Sequence, residues 1–140
     1  MQALATAGAG FLLAVLWFDL MFDVQVAPYR TGVVPETVVS SIAGYYRRVT
    51  TDARPMNRFV ALAMVVTVFA IVAQIVRSDG AATARWTSLL LALVPIGLAG
   101  SRTVPSAVRL GARRDPIAMQ SSLARAIFRQ HVFCICSIAA

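Results

Sequence analysis

Apolar residues are grouped in long stretches along this chain, and polar residues lie between them. The three longest stretches cover residues 3–24, 58–76 and 86–104. A helix needs about 20 apolar residues to cross the hydrocarbon layer of a bilayer, so each stretch predicts a transmembrane helix. Pro95 lies within the third stretch and predicts a kink, because proline removes a backbone hydrogen bond from a helix.

A fourth apolar stretch covers residues 123–140 and is still apolar at the last residue. From His131 onward it gives only about 15 Å of helix, roughly half the thickness of the hydrocarbon layer. We expect a fourth transmembrane helix that is cut short by truncation of the sequence. The alternative is a helix that starts earlier, with Arg125 and Arg129 reaching back to the interface.

Residues 35–49, between the first two spans, show the clearest helical periodicity in the chain. The apolar side chains of this segment fall within about 120° of a helical wheel: Val38, Val39, Ile42, Tyr45, Tyr46 and Val49. The segment is too polar to span and predicts an amphipathic helix. It lies flat in the cytoplasmic interface with its tyrosines at headgroup depth, or it folds back to cap the helix bundle; both placements stay open.

The composition supports lipid as the main solvent of this protein. Of the 140 residues, 59% are hydrophobic and only 14% are charged, against about 25% charged in an average soluble domain. We predict an all-α integral membrane protein with a single membrane domain over residues 1–140. It has four transmembrane helices in a bundle, plus the interfacial amphipathic helix.

All 13 basic residues are arginine, and the net charge is +7. The arginines flank the apolar stretches, so anionic phospholipid headgroups are the expected partner rather than nucleic acid. Both long connections between spans are rich in arginine, whereas the short middle loop, residues 78–84, has none. Because basic connections stay in the cytoplasm, we expect the long connections there and both termini outside.

Asp19 and Asp23 are the ionisable side chains of the first span. A carboxylate in a membrane-spanning segment is costly and marks a functional candidate. The two aspartates are four residues apart, so they share a helix face, about 40° apart. That face continues through small residues such as Gly8, which allow another helix to approach closely. We therefore expect the aspartates to point inward, near the cytoplasmic end of the span.

Three interpretations of the aspartate pair stay open. We expect structural ion pairs with flanking arginines; the candidates are Arg58, Arg102, Arg125 and Arg129. A second interpretation is Mg²⁺ bound together with substrate phosphates. The D-x-x-x-D spacing from Asp19 to Asp23 resembles the diphosphate-binding element of UbiA-type intramembrane prenyltransferases, although their second acidic motif is absent. The third interpretation is a proton relay. A relay needs further ionisable side chains across the membrane, and the interiors of the second and third spans contain none.

His131, Cys134 and Cys136 form an H-x-x-C-x-C pattern, which suggests soft-metal ligands. On a helix, however, Cys136 lies about 140° from His131, so the three side chains do not converge. We expect His131 to be a packing residue, with a haem or quinone contact as the alternative. No cofactor is predicted, and the sequence has no nucleotide-binding loop, H-E-x-x-H or C-x-x-C pattern.

Several arginines are candidate anion-binding residues. Arg125 and Arg129 share a helix face and, with Arg102, are placed to hold a phosphate or carboxylate near the inner interface. Arg47 and Arg48 are expected to contact lipid headgroups, and their default role is to set the topology.

The small size and the lack of a strong motif favour a structural or accessory role. We expect a subunit that packs into a larger membrane assembly or a homo-oligomer, through small residues such as Ala92, Gly97 and Gly100. The alternative is a small membrane enzyme or lipid-handling protein that binds an anionic apolar substrate, either a lipid phosphate or a quinone-like molecule. In that case Asp19, Asp23 and His131 are the catalytic candidates, and only Asp19 and Asp23 are weak candidates for metal ligands.

Overall fold

A computed structural model describes residues 1–77 and 81–140, and its ordered elements are all helical. Residues 78–80 of the predicted middle loop lie outside this range. The α-helices are α1 (Gln2–Asp23), α2 (Glu36–Arg47), α3 (Arg54–Val76), α4 (Ala82–Leu98), α5 (Val104–Ala112) and α6 (Ile117–Ala139). A 3₁₀ turn (Val24–Val26) follows α1, and π-helical turns follow α2 (Arg48–Asp52) and α4 (Ala99–Thr103).

Three helical segments are long and apolar enough to cross a membrane: Gln2–Val26, Pro55–Val76 and Ala82–Ala112. They coincide with the three predicted spans, which supports a membrane location. The third is longer than predicted, because the helical turns continue through Pro95 and the following π-helical turn into α5. The predicted fourth span, α6, is not among these segments in the described part of the chain.

The long helices form a bundle in which α1 and α4 each pack against both α3 and α6. Large apolar side chains cover its outer surface. Trp17 is 63% exposed, Phe69 64% and Leu90 62%. Continuous exposed apolar surface of this kind is unfavourable in water, so these faces suit a hydrocarbon environment.

Helices α1 and α3 approach each other closely at Gly8. A Cβ atom placed on Gly8 would overlap Oγ1 of Thr67, whose hydroxyl donates to the Ala63 carbonyl at 2.7 Å. The prediction that small residues on the aspartate face admit another helix is therefore confirmed at this position. The helix that approaches belongs to the same chain.

A second layer, the cap, closes one end of the bundle. It consists of α2, α5 and the first turns of α6, and it contains the main buried core: Val26, Val34, Val39, Ile42, Ala43, Tyr46, Ala107, Leu110, Ala124 and Ile127. The predicted apolar stripe of residues 35–49 is thus covered by protein, so the cap placement describes it and the flat interfacial placement does not. Burial of these apolar side chains stabilises the packing of the cap.

Polar contacts join the cap to the chain that leads into it. The Val34 amide donates to Ser121 Oγ at 2.9 Å in a buried position. Arg125 Nη1 donates to the Gly32 carbonyl at 2.9 Å. The first bond satisfies a backbone amide that would otherwise be buried without a partner, and the second lies in an exposed position.

Helix α6 begins at Ile117, six residues before the predicted start at 123. The apolar stretch predicted from residue 123 lies within this helix. The helix starts earlier because its first turns bury the polar Gln120 and Ser121 under the cap. This earlier start agrees with the alternative interpretation of the segment, and a membrane crossing by α6 stays a prediction.

Candidate functional site

Five polar side chains meet where the cap closes the bundle. Asp19 and Asp23 come from the last turns of α1, Tyr45 and Tyr46 from the end of α2, and His131 from the middle of α6. We call this group the polar cluster. It draws on the three helices that join the two layers, so its geometry depends on both being assembled.

Asp23 is the centre of the polar cluster and is fully buried. Its Oδ2 lies 2.7 Å from His131 Nδ1, and its Oδ1 accepts a hydrogen bond of 2.7 Å from the Tyr46 hydroxyl. An ionised carboxylate only accepts hydrogen bonds. The contact with Asp23 therefore assigns the proton of His131 to Nδ1, and Nε2 is left to act as acceptor or base.

Asp19 lies on the other side of the histidine ring. Its Oδ1 accepts a hydrogen bond of 2.7 Å from the Tyr45 hydroxyl. Its Oδ2 lies 3.8 Å from His131 Nε2, beyond hydrogen-bond distance. The side chain of Asp19 is 15% exposed, whereas that of Asp23 is 0% exposed. The polar cluster thus has a closed side at Asp23 and an open side between Asp19 and His131.

The two tyrosines are fixed donors to these carboxylates. Burial raises the pKa of Tyr46 far above its usual range, and the negative charges of Asp23 and Asp19 raise it further. Burial and Asp19 raise the pKa of Tyr45 in the same way. The Tyr45 ring also stacks on Phe22 with ring centroids 4.1 Å apart. Both phenols therefore keep their protons and their positions.

A cavity of about 310 Å³ opens beside the polar cluster. Asp19, Tyr45, Tyr46 and His131 form its polar wall, and Asp23 is excluded from it. The rest of the wall is mainly apolar: Val15, Phe18, Val49, Met56, Val60, Val104 and Ala107. A mainly apolar pocket with a few convergent polar groups is typical of a small-molecule site, and this volume lies near the lower end for such sites.

Both π-helical turns border this cavity. Thr50, in the turn after α2, and Thr103, in the turn after α4, are among the lining residues. Thr50 Oγ1 donates to the Tyr46 carbonyl at 2.7 Å, and Thr103 Oγ1 donates to Gln130 Oε1 at 2.9 Å. Single π-helical turns within α-helices occur frequently at functional sites, and here they widen the backbone around the cavity.

The predicted arginine partners of the aspartates are wrong. Among the side chains that the structure describes, the ion pairs of Asp19 and Asp23 are with His131 and none is with an arginine. Arg58, Arg102 and Arg129 are exposed. Burying a guanidinium beside Asp23 would carry a large desolvation cost. The tyrosine hydroxyls and the imidazole supply the same hydrogen bonds at lower cost.

The remaining arginine candidates do not join the polar cluster. Arg125 donates to the Gly32 carbonyl at 2.9 Å and to the Tyr29 carbonyl at 3.5 Å. Arg47 lies 3.7 Å from Asp52 in an exposed position, and Arg48 is exposed as well. Contact of these residues with anions or lipid headgroups stays a prediction.

The H-x-x-C-x-C residues diverge in the structure. Cys134 is buried and its thiol lies 3.7 Å from the Pro95 carbonyl, whereas Cys136 is exposed. Within residues 1–77 and 81–140, no group of three or more histidine, cysteine, aspartate or glutamate side chains is arranged to hold a metal ion.

Sequence reasoning placed Asp19, Asp23 and His131 among the catalytic candidates, and the structure brings these three together. It did not name Tyr45 and Tyr46 as site residues, and it left their helix either at lipid headgroup depth or in a cap on the bundle. The available signal was their position: both lie on the apolar stripe of α2, so in a cap they point towards the aspartate end of α1.

The fold and the polar cluster define an all-helical protein with three helices able to cross a membrane and a buried acid–histidine–tyrosine site at one end. Comparison with family models, curated proteins and solved structures finds no match to this chain.

Proposed function

We propose that this protein binds a neutral, membrane-soluble molecule bearing an acidic hydroxyl or enol group and transfers a proton to or from it. The observation that carries the proposal is His131 at the wall of an apolar cavity, with its Nδ1 held 2.7 Å from the buried Asp23 carboxylate. A carboxylate behind an imidazole fixes its orientation and stabilises the imidazolium formed when Nε2 takes a proton. His131 is the base, and Asp23 is its positioning residue.

The charge of the polar cluster disfavours an anionic ligand. Two carboxylates and one imidazole give no net positive charge in any protonation state in which both acids are ionised. The arginines expected to bind an anion lie elsewhere. An anionic head group next to Asp19 would be repelled in this low-dielectric setting, so a neutral, quinol-like or phenolic molecule fits better than a lipid phosphate.

The rim of the cavity indicates access from the bilayer. Phe18 on α1 is 60% exposed and Met56 on α3 is 52% exposed, and both line the cavity. These helices are membrane-crossing candidates. A lipophilic ligand dissolved in the bilayer therefore reaches Asp19 and His131 by passing between two apolar side chains.

The fluorescent alcohol 2-naphthol provides a direct test with the full chain in phosphatidylcholine nanodiscs. Its excited state emits as the neutral molecule in an apolar medium and as naphtholate when a neighbouring base accepts its proton. We expect saturable binding with naphtholate emission for the wild type. His131→Gln should still bind but emit as the neutral form.

Asp52→Asn is the matched control, because it removes an exposed carboxylate outside the polar cluster. It should behave like the wild type. Absence of saturable binding by the wild type would overturn the ligand site. Naphtholate emission that persists in His131→Gln would overturn the role of His131 as the base.

The membrane arrangement belongs to the same proposal. We place α6 as a fourth membrane helix whose first turns remain in the cap, with both long connections in the cytoplasm and the termini outside. In a variant lacking Cys134 and Cys136, a cysteine at Gln2 should react with an impermeant maleimide on intact cells, whereas one at Thr51 should react only after lysis. The reverse labelling pattern would show that the topology is inverted.

A role as an accessory subunit or homo-oligomer is a second candidate. Gly97 and Gly100 are exposed on the third span, and a Cβ at either position would meet no atom within 4 Å. Such a surface admits a helix from another chain. Native mass spectrometry after mild-detergent purification tests this role, and a monodisperse monomer without partners would contradict it.

A further inference from the structure

A second cavity in the described part of the molecule lies at the opposite end of the bundle from the cap. Its volume is about 880 Å³, and α1, α3, α4 and α6 all contribute to its wall. Neither the polar cluster nor the cap borders it. This volume lies towards the upper end of the range for small-molecule sites.

The polarity of this cavity changes with depth. Residues from the outer turns of the helices include Thr6, Gln74, Arg85 and Ser88. Residues nearer the middle of the bundle are mainly apolar, with Thr67 as a polar exception: Leu12, Ile71, Leu91, Ala92 and Ile96. A molecule that fills the cavity therefore needs a polar head at the outer end and an apolar body towards the bundle centre.

Arg85 determines the charge of that head. Its Nε and Nη1 atoms are buried and have no hydrogen-bond partner among the described residues. Among the described residues, the side chains that line the cavity include no carboxylate. Guanidinium nitrogens that are buried without partners are costly unless an anion accepts their hydrogen bonds, and the planar fork of arginine suits a carboxylate or phosphate.

We infer that this cavity binds a single-chain amphiphile with an anionic oxygen head, which Arg85 holds at the outer end while the chain lies against Leu12, Ile71 and Ile96. The shared chemistry is a carboxylate or phosphate on one apolar chain. A fatty acid and a monoalkyl phosphate both supply it. This cavity prefers an anionic ligand, whereas the polar cluster disfavours one. The two cavities are therefore proposed as separate sites, and each can be tested without the other.

Binding is measured with cis-parinaric acid, which quenches tryptophan emission when it binds near Trp86, beside Arg85. The protein is the full chain in phosphatidylcholine nanodiscs, with empty nanodiscs as the blank. Dodecanoate and dodecyl phosphate should displace the probe, whereas dodecanol and inorganic phosphate should not. Equal displacement by dodecanol would overturn the role of charge, and displacement by inorganic phosphate alone would overturn the role of the chain.

The variants separate the head from the chain. Arg85→Gln should weaken binding by about tenfold or more, as expected for the loss of a charged hydrogen bond of about 1.5–3 kcal/mol, and Arg85→Lys should retain part of the affinity. Arg77→Gln, an exposed arginine at the same end, should leave binding unchanged. Ala9→Phe, which fills part of the cavity, should block binding with Arg85 intact.

Unchanged binding in both Arg85→Gln and Ala9→Phe would show that the probe binds elsewhere and would overturn the inference. If Arg85→Gln does not fold, the competition series on the wild type decides.

Discussion

Asp23 Oδ2 and His131 Nδ1 lie 2.7 Å apart although 108 residues separate them in the chain. The contact is completely shielded on the aspartate side, where Asp23 has no exposed surface. A buried hydrogen bond between ionisable groups in low dielectric is stronger than the same bond in water, and each partner becomes costly when the other is removed. The contact between α1 and α6 therefore depends on this pair.

Asp23→Asn should destabilise the protein much more than the same change at Asp52. The asparagine amide keeps one acceptor oxygen, so its NH2 group faces a donor at either Tyr46 or His131 and one of the two hydrogen bonds to the carboxylate is lost. Breaking a buried charged pair costs about 3–5 kcal/mol. Thermal unfolding in nanodiscs, followed by tryptophan fluorescence, measures the difference. Equal transition temperatures for Asp23→Asn and Asp52→Asn would contradict the buried geometry.

Asp19→Asn should have a smaller effect on stability and a larger effect on ligand binding. Asp19 keeps one partner, Tyr45 at 2.7 Å, and its other oxygen faces His131 Nε2 at 3.8 Å across the open side of the polar cluster. We expect a loss of about 1 kcal/mol, typical of one part-buried hydrogen bond, with altered 2-naphthol affinity. A loss of stability as large as that of Asp23→Asn, without any change in binding, would make Asp19 a structural residue.

Alkaline pH should unfold the protein through Tyr45 and Tyr46. Burial and the neighbouring carboxylates raise the pKa of both phenols above the unfolded value of about 10. Their contribution to stability is complete below about pH 10. It is lost above that pH because phenols of the unfolded chain ionise there. Tyrosinate absorbance of these two residues should appear together with unfolding.

Replacing both tyrosines by phenylalanine provides the comparison for this titration. The double variant should lose stability at neutral pH, since Asp19 and Asp23 each lose a donor. It should also lose the alkaline decrease assigned to these phenols. If the phenols ionise in the folded wild-type protein well before unfolding, the donor role assigned to them is incorrect.

Gly8→Ala should weaken the packing of α1 against α3, whereas Gly10→Ala should not. A Cβ on Gly8 overlaps the Thr67 side chain, and a Cβ on Gly10 meets nothing within 4 Å. Overpacking of this kind costs about 1–3 kcal/mol. Adding Thr67→Ala to Gly8→Ala should recover part of the loss, because it removes the atoms that collide. Thermal unfolding of the wild type, Gly8→Ala, Thr67→Ala and the double variant completes a double-mutant cycle.

Gly111→Ala should be more harmful than Gly44→Ala, although both glycines lie near the cap. A Cβ on Gly111 would lie 2.8 Å from the Arg47 backbone nitrogen, which cannot move independently of α2. A Cβ on Gly44 meets nothing within 4 Å. Within a helix that change should stabilise by about 0.5–1 kcal/mol. Circular dichroism melting curves should therefore shift in opposite directions.

The apolar stretches predicted the spans well, because burial in lipid requires long apolar runs that tertiary contacts do not alter. The inward orientation of Asp19 and Asp23 was likewise readable from helical spacing. Local patterns do not report which distant residue meets a given side chain. Arginines therefore appeared to be the partners of the aspartates, whereas Tyr45, Tyr46 and His131 fill that place.

The start of α6 also could not be predicted from the local sequence pattern. Gln120 and Ser121 are polar, so the pattern assigned them to a connection, yet they are buried because Asp115 and Val34 provide backbone partners. The cavity beside His131 could not be predicted either. It depends on two π-helical turns, for which the sequence carries no recognised periodic signal.

The core of the cap has a consequence for the order in which the protein forms during synthesis. Val34 lies near the beginning of the chain, and Ser121, which binds its amide, lies near the end. Insertion of α1 and α3 into a bilayer does not require the cap, since each can insert as an independent helix. The ribosome must therefore have synthesised Ser121 before the Val34 amide can bond to it, and His131 before Asp23 receives its partner. Assembly of the polar cluster thus follows the synthesis of α6 and does not accompany that of α1.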